Sequence, residues 1–311
     1  MIGFITRRRH DIFCVAALLL ATATSAFLAQ PSARPCMPPA LKTTIGLNNG
    51  IPNRSLKENR CRHSLSLLPS RRGIRSSSKV TTKNSNDDGN NDAFFDGKTT
   101  AALVGGQSLL IIGSIAVAAL IGTPKLGLGP GFDLSWPAFS MGVLYTLPLG
   151  LLAAALDVVE DKFPALQDVT KATQRSVLAL LGGKFKPIIA FVTSLALGCV
   201  AGLGEEMLFR GVLQYELTSW LGQGVAVAIS SIIFGALHAV TPLYAILASL
   251  ASVYFGVLYI VSSNLAVPIT AHAVYDLLAL LFAHWTVSRL SADEQTYISQ
   301  WQGPGDENNN K

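Results

Sequence analysis

Two adjacent carboxylates, Glu205 and Glu206, have the residue type and spacing for acid–base chemistry in this 311-residue chain. Arg210 follows Glu206 by four residues, so in a helix the two side chains stack on one face as a charge-assisted pair. Glu205 points about 100° away from Glu206 and has no obvious cation on its own helix. It is therefore the candidate general base. The alternative is that both glutamates cap or pair locally at the start of an interfacial helix.

Two later pairs place imidazoles beside other side chains at the same spacing. Phe234 and His238 are four residues apart, and so are His272 and Asp276; the members of each pair therefore project from one face of a helix. Each histidine taken singly could instead have a structural role, in which its side chain hydrogen-bonds to a neighbouring helix. Together with Glu205, these pairs predict a buried catalytic cluster contributed by three helices. The alternative is that Glu205, His238 and His272 supply a carboxylate and two imidazoles to a metal ion.

The helices that carry these residues have the composition of membrane spans. Hydrophobic residues make up 50% of the chain and charged residues only 14%, with a mean hydropathy of +0.42, unlike an ordinary soluble protein. An Asp or Glu at the middle of a membrane helix costs roughly 2.5 to 3.5 kcal/mol on insertion scales, so each is a candidate for function. The predicted fold class is all-α, a polytopic membrane helix bundle of about six to seven transmembrane helices plus an amphipathic helix.

Long apolar stretches define these elements. The candidate spans are residues 101–122, 136–156, 187–203, 225–240, 243–261 and 265–285. Residues 208–221 are predicted to form a more polar and partly buried helix. Between residues 157 and 186 apolar side chains recur at helical spacing, which predicts an amphipathic helix at the membrane interface. Small residues such as Gly105 and Gly235 predict close packing of the spans. The transmembrane domain is expected to occupy residues 96–290, followed by a tail over 291–311.

The first 95 residues are predicted to be targeting sequence. Three arginines, a short apolar run and small residues ending at Ala26 have the order of a signal peptide, residues 1–26. Residues 27–95 are basic, rich in Ser and Thr and poor in acids, as in a transit peptide followed by a disordered linker. The cleavage region resembles the bipartite leaders of algae whose plastids lie inside extra membranes, which implies a plastid protein. The alternatives are an N-terminal membrane anchor and a secretory protein with a disordered basic stretch.

The distribution of charge and cysteine excludes two other classes of protein. Residues 1–86 carry 14 Lys and Arg against two acids, whereas residues 87–311 carry 10 against 17. The excess of basic residues therefore lies in the predicted targeting sequence, and residues 87–311 have no basic patch for a nucleic acid partner. Three of the four cysteines also lie in the predicted targeting sequence. The remaining one, Cys199, cannot by itself form a disulfide framework or a cysteine-based zinc site.

The three pairs together resemble the motifs of a known family. Glu-Glu-x-x-x-Arg at 205–210, Phe-x-x-x-His at 234–238 and His-x-x-x-Asp at 272–276 follow one another along the chain. In that order they resemble the motifs of the CPBP (Abi) family, the intramembrane glutamate proteases related to the type II CAAX prenyl endopeptidase. The resemblance covers roughly residues 187–285. It departs from the family at Asp276, where the better-studied proteases carry Asn.

The resemblance implies a mechanism that needs no metal ion and no cofactor. Glu205, assisted by His238, would deprotonate a water that attacks the scissile carbonyl. His272 and Asp276 would support the oxyanion that forms. An ionised Asp276 would repel an oxyanion, so it must either stay protonated or serve instead to orient and charge His272.

The same resemblance implies supporting roles for Glu206, Arg210 and Phe234, the first two of which would orient the motif helix. The implied function is a metal-independent intramembrane glutamate endopeptidase that hydrolyses a peptide bond of a membrane-associated protein. The expected partners are a membrane protein or peptide substrate, the lipid bilayer and a plastid membrane protein complex, in the plastid envelope or thylakoid. The alternatives are a non-proteolytic scaffold or stabiliser of a plastid membrane enzyme or complex, and a transporter with buried carboxylates as proton relays.

Overall fold

The computed structural model describes residues 97–304, and every regular element within that range is helical. A π-helical segment, Met207–Gln214, lies between the helices Pro187–Glu206 and Tyr215–Leu221, and single turns of 3-10 helix lie at Pro124–Gly127 and Glu160–Lys162. The predicted targeting sequence, residues 1–95, and the end of the predicted tail, residues 305–311, lie outside the described residues. The helices are α1 (Gly97–Ile121), α2 (Trp136–Leu144), α3 (Leu147–Val159), α4 (Pro164–Leu181), α5 (Pro187–Glu206), α6 (Tyr215–Leu221), α7 (Gln223–Leu237), α8 (Pro242–Ser262), α9 (Ala266–Val287) and α10 (Ala292–Gln300).

Five helical stretches within residues 97–304 are long and apolar enough to cross a membrane. They are Gly97–Ile121, Trp136–Lys162, Pro187–Leu221, Pro242–Ser262 and Ala266–Val287. α7 is also apolar, but it has only 15 residues, fewer than the roughly 20 that a spanning helix requires. The prediction of an all-α, multi-pass membrane bundle is therefore confirmed. Where the sequence predicts six to seven transmembrane helices, residues 97–304 contain five long spans and one shorter apolar helix.

The predicted spans differ from the helices in two places. The predicted span 136–156 is divided into α2 and α3, because Pro148 in the first turn of α3 has no amide hydrogen for a continuous helix. The predicted span 187–203 and the more polar helix at 208–221 belong instead to one continuous helical stretch of 35 residues. Gly222, with a φ of +80°, ends that stretch.

Glycines allow α5 and α9 to approach each other closely. An added Cβ on Gly198 would lie 2.6 Å from the carbonyl oxygen of Ala273, and one on Gly202 would lie 2.9 Å from that of Ile269. The two glycines have the small-xxx-small spacing of tightly packed membrane helices. By contrast, a Cβ on Gly105 of α1, which the sequence also suggests as a packing position, would meet no atom within 4 Å.

α4 is the amphipathic helix that the sequence predicts between residues 157 and 186. Three of its buried residues pack in one cluster with Ala190 of α5 and with Ala283 and Val287 of α9. The apolar face of α4 therefore packs against α5, which carries Glu205 and Glu206, and against α9, which carries His272. Its buried residues are Leu166, Ala172, Val177, Leu180 and Leu181.

A further helix, α10, lies in the segment that the sequence predicts as a tail. Ser291 and Glu294 cap its first turn reciprocally, each side chain binding the other residue's backbone amide. The Gln295 amide nitrogen lies 3.2 Å from each of three main-chain carbonyl oxygens, those of Gly183, Val287 and Leu290. These contacts attach α10 to the ends of α4 and α9.

Replacing Gly198 with alanine is expected to destabilise the bundle, because the new Cβ collides with the Ala273 carbonyl. Overpacking of this kind costs about 1–3 kcal/mol, so the midpoint of thermal unfolding in detergent should fall. Gly105→Ala is the matched control, since its Cβ meets no atom within 4 Å. Equal midpoints for the two variants would contradict a packing role for Gly198.

Candidate active site

All seven residues that the sequence selects for the site lie in one cluster between α5, α7 and α9. α5 ends with the two carboxylates, Glu205 and Glu206. The other five lie on the elements that follow: Arg210 in the π-helical segment, Phe234 and His238 at the end of α7, and His272 and Asp276 on α9.

Glu206 is the hydrogen-bond acceptor at the centre of the cluster. Its Oε1 accepts from Arg210 Nη1 at 3.0 Å and from His272 Nδ1 at 2.8 Å. Arg210 Nη2 also donates to the carbonyl and the hydroxyl of Ser252 on α8, at 2.7 and 2.9 Å. Glu206 and Arg210 are both completely buried. A buried ion pair needs such additional hydrogen bonds, because desolvation of the two charges opposes it.

Aromatic rings surround the Arg210 guanidinium and stack on both histidines. Arg210 Cζ lies 5.3 Å from the ring centre of Phe234 and 5.5 Å from that of Phe255, within the range of cation–π attraction. Phe234 stacks on His238 with ring centres 4.2 Å apart. Phe255 stacks on His272 at 4.8 Å. The same two phenyl rings therefore hold the cation and the planes of both imidazoles.

The π-helical segment begins directly after the two carboxylates. Such turns are rare within α-helices and frequently occur at functional sites. Gly211 in this segment lies so close to the Gly127 carbonyl that any side chain would collide with it. The loop that supplies this carbonyl holds Lys125 and Leu126 in the left-handed region, with φ of 49° and 55°. The π turn is therefore packed against the connection between α1 and α2.

One oxygen of the Glu205 carboxylate faces both imidazoles. Its Oε2 lies 3.6 Å from His238 Nε2 and 3.9 Å from His272 Nε2. These separations are too long for direct hydrogen bonds and suit a bridging water. His238 Nδ1 lies 2.8 Å from the carbonyl oxygen of Phe234, which can only accept, so Nδ1 carries the hydrogen. In the neutral ring, His238 Nε2 then directs a lone pair toward Glu205.

Asp276 lies at the more open side of the cluster. Its Oδ2 is 3.6 Å from His272 Nε2. The side chain of Asp276 is 29% exposed and that of His238 is 22% exposed, whereas Glu205 and His272 are each 7% exposed. The cluster is therefore accessible from the side of Asp276 and His238 and closed on the side of the buried ion pair.

Three residues at the site are missing from the sequence prediction. Ser252 and Phe255 on α8 contact the buried arginine and a histidine, but a hydroxyl and a phenyl ring are ordinary in an apolar span and give no signal. Gln107 on α1 donates from Nε2 to Glu205 Oε1 at 3.0 Å. The sequence does contain a feature that could have identified Gln107. It is an amide within an apolar helix, where burial without a hydrogen-bond partner is costly.

The geometry brings carboxylates and imidazoles together among helices that have the composition of membrane spans, and one comparison with known families bears on this arrangement. Residues 187–278 match the family described as type II CAAX prenyl endopeptidase, Rce1-like. The match begins with α5 and ends just after Asp276, so it includes all three motifs. This segment is therefore similar to a family of peptidases, in agreement with the resemblance of the motifs. Comparisons with curated proteins and with solved structures found no match.

The side chains described between residues 97 and 304 include no group of three or more His, Cys, Asp or Glu that could hold a metal ion. The alternative of a metal site formed by Glu205, His238 and His272 therefore gains no support from this geometry. Chelation tests that alternative directly.

Removing the Arg210 charge is expected to destabilise the protein strongly. In Arg210→Met, the Glu206 carboxylate stays buried without its cation, and breaking a buried pair in this way costs about 3–5 kcal/mol. Arg289→Met is the control, because Arg289 is exposed and lies 3.9 Å from the ring centre of Trp285. Thermal unfolding in detergent measures both variants. A midpoint for Arg210→Met equal to that of the control would show that the pair does not stabilise the bundle.

Proposed function

We propose that the chain is an intramembrane glutamate endopeptidase, which hydrolyses a peptide bond of a membrane-associated protein without a metal ion. Glu205 acts as the general base with His238 as its partner, and His272 and Asp276 support the oxyanion. The observation that carries this proposal is the position of Glu205 Oε2, 3.6 and 3.9 Å from the Nε2 atoms of the two histidines. The match to an endopeptidase family supports the class of reaction.

A water that lies beside Glu205 Oε2 and His238 Nε2, and donates a hydrogen bond to each, satisfies both acceptors. The ionised carboxylate accepts through Oε2, and the neutral imidazole accepts through Nε2. A water donating one hydrogen to each directs its lone pair away from both, toward a carbonyl carbon at the open side of the cluster. Proton transfer to Glu205 during the attack gives a tetrahedral oxyanion without a covalent acyl-enzyme. Collapse of this intermediate breaks the C–N bond, and the proton on Glu205 leaves with the amine.

His272 is placed to donate a hydrogen bond to the oxyanion. Its Nδ1–H is held by Glu206 at 2.8 Å. A second proton, on Nε2, would then give the ring a donor that points toward the space between Glu205 and Asp276. One donor of this kind contributes roughly 2.7 to 4 kcal/mol to the transition state in other proteases.

The substrate is a membrane protein or a membrane-bound peptide, because the carboxylates lie on helices that have the composition of membrane spans. The matched family is named for CAAX prenyl substrates, in which a prenyl group would hold the peptide at the lipid bilayer. The targeting sequence predicted over residues 1–95 supports a plastid membrane, envelope or thylakoid, as the proposed location. A plastid location favours a membrane protein without a prenyl group as the substrate.

Cleavage assays with the full-length protein in liposomes test this function. The probe is a library of membrane peptides, some with a prenylated CAAX end and some without a prenyl group. The wild type is expected to cleave at least one peptide with or without a chelator, and Glu205→Ala is expected to cleave none while remaining inserted and abundant. Glu216→Ala, which removes a half-buried carboxylate of α6 outside the cluster, is the matched control and should retain activity.

Three outcomes of this assay would contradict the proposal. Full cleavage by Glu205→Ala would remove Glu205 as the base. Loss of wild-type cleavage on chelation would favour a metal site. Absence of cleavage by the correctly folded wild type would favour the scaffold of a plastid membrane enzyme or complex, and binding partners would then be sought.

Asp276→Asn is expected to cleave at least as fast as the wild type. An amide at this position can always donate a hydrogen bond to the oxyanion, whereas the Asp276 carboxyl group can do so only while it is protonated. His272 does not depend on Asp276 for its orientation, since Glu206 holds Nδ1 at 2.8 Å. Initial rates on the cleaved peptide compare the two forms. A large loss of rate in Asp276→Asn would instead assign Asp276 to orienting and charging His272.

A further inference from the structure

Gln107 contacts the proposed base from a helix that carries none of the three motifs. Its Nε2 donates a hydrogen bond to Glu205 Oε1 at 3.0 Å. The two histidines face the other carboxylate oxygen, Oε2, at 3.6 and 3.9 Å. Gln107 also lies outside residues 187–278, the segment that matches the peptidase family.

α1 reaches Glu205 because the preceding residue of α5 is a glycine. An added Cβ on Gly204 would lie 3.1 Å from the carbonyl oxygen of Gln107, and 3.2 and 3.3 Å from side-chain atoms of Ile111 and Leu110. The backbone of α1 is therefore in close contact with α5 at the level of the carboxylate. This approach brings the Gln107 amide within hydrogen-bond distance.

The Glu205 carboxylate needs a partner that fixes its plane. The last torsion of a glutamate joins an sp³ carbon to an sp² carbon and has a broad energy well, so packing of the methylene groups does not decide where the oxygens point. The contacts to the histidines, at 3.6 and 3.9 Å, are too long to hold the plane directly. The 3.0 Å hydrogen bond from Gln107 is short enough to do so.

A glutamine suits a carboxyl group that gains and loses a proton. The NH₂ group of Gln107 donates to the carboxylate form. The amide oxygen of Gln107 is buried and accepts no hydrogen bond from the residues that the structure describes. After the amide turns over, this oxygen can accept the hydrogen of the protonated acid. One side chain can therefore bind Glu205 both before and after proton transfer.

We infer that Gln107 is a positioning residue for Glu205, holding Oε1 of the carboxyl group so that Oε2 faces the two histidines throughout the reaction. The inference rests on the proposed function, because it takes Glu205 to be the base that activates water. It adds α1 to the site and extends the machinery beyond the segment that matches the family.

Two readouts on full-length variants in liposomes test this role. Gln107→Met keeps the length of the side chain but removes the donor and the acceptor. On the peptide of the library that the wild type cleaves fastest, kcat is expected to fall about ten- to hundredfold, as loss of a hydrogen bond to a charged group implies, with KM unchanged. The infrared carboxyl band of Glu205, assigned by its absence in Glu205→Gln, is expected to shift in Gln107→Met.

Ser108→Ala is the matched control, since the Ser108 hydroxyl donates to the Val104 carbonyl within α1 at 2.7 Å; both readouts should stay at wild-type values. An unmoved infrared band in Gln107→Met overturns the inference, and so does an unchanged kcat. If the wild type cleaves no peptide, the proposed function fails, but the infrared band still decides whether Gln107 holds Glu205. Should Gln107→Met not fold, Gln107→Asn replaces it, because its amide is too short to reach Glu205 and the same shift is expected.

Discussion

A pair of charges without access to water is the constraint around which this site is built. Glu206 and Arg210 are both 0% exposed, and charged groups inside a membrane bundle need partners. Their hydrogen bonds reach α8 through Ser252 and α9 through His272, so the bonds made by the two charged groups also join the helices. The phenyl rings around the arginine stack on the histidines in turn. The contacts that stabilise the buried charges are therefore the same contacts that orient the imidazoles.

Local spacing predicts much of the site, because each motif pairs residues of a single helix. Glu206 and Arg210 are four residues apart in sequence, and Arg210 Nη1 lies 3.0 Å from Glu206 Oε1. Spacing along the chain does not predict which helices face each other. The hydrogen bond from His272 to Glu206 joins residues 66 apart in sequence, and it depends on how α5 and α9 pack. The sequence therefore predicts a role for Glu206 on its own helix, whereas the structure also makes it the partner of His272.

Hydropathy predicts the membrane spans but not their interruptions. Long apolar runs locate spanning helices because the transfer of apolar side chains into lipid does not depend on a particular neighbour. The π-helical segment lies instead where Gly211 closely approaches the Gly127 carbonyl. α10 is likewise attached through contacts of Gln295 with main-chain carbonyls. Such contacts are absent from composition and periodicity, so the sequence predicts the spans better than it predicts the ends and breaks of the helices.

Adjacent glutamates can take different roles because successive side chains on a helix point about 100° apart. Glu206 points into the bundle, where Oε1 already accepts two charge-assisted hydrogen bonds. Glu205 points instead toward His238, across a gap of 3.6 Å, and toward the amide of Gln107. One carboxylate is therefore committed to the buried network, while Oε2 of the other faces the two histidines, as the proposed mechanism requires. The π turn begins only after Glu206, so the regular geometry that separates the two roles is left undisturbed.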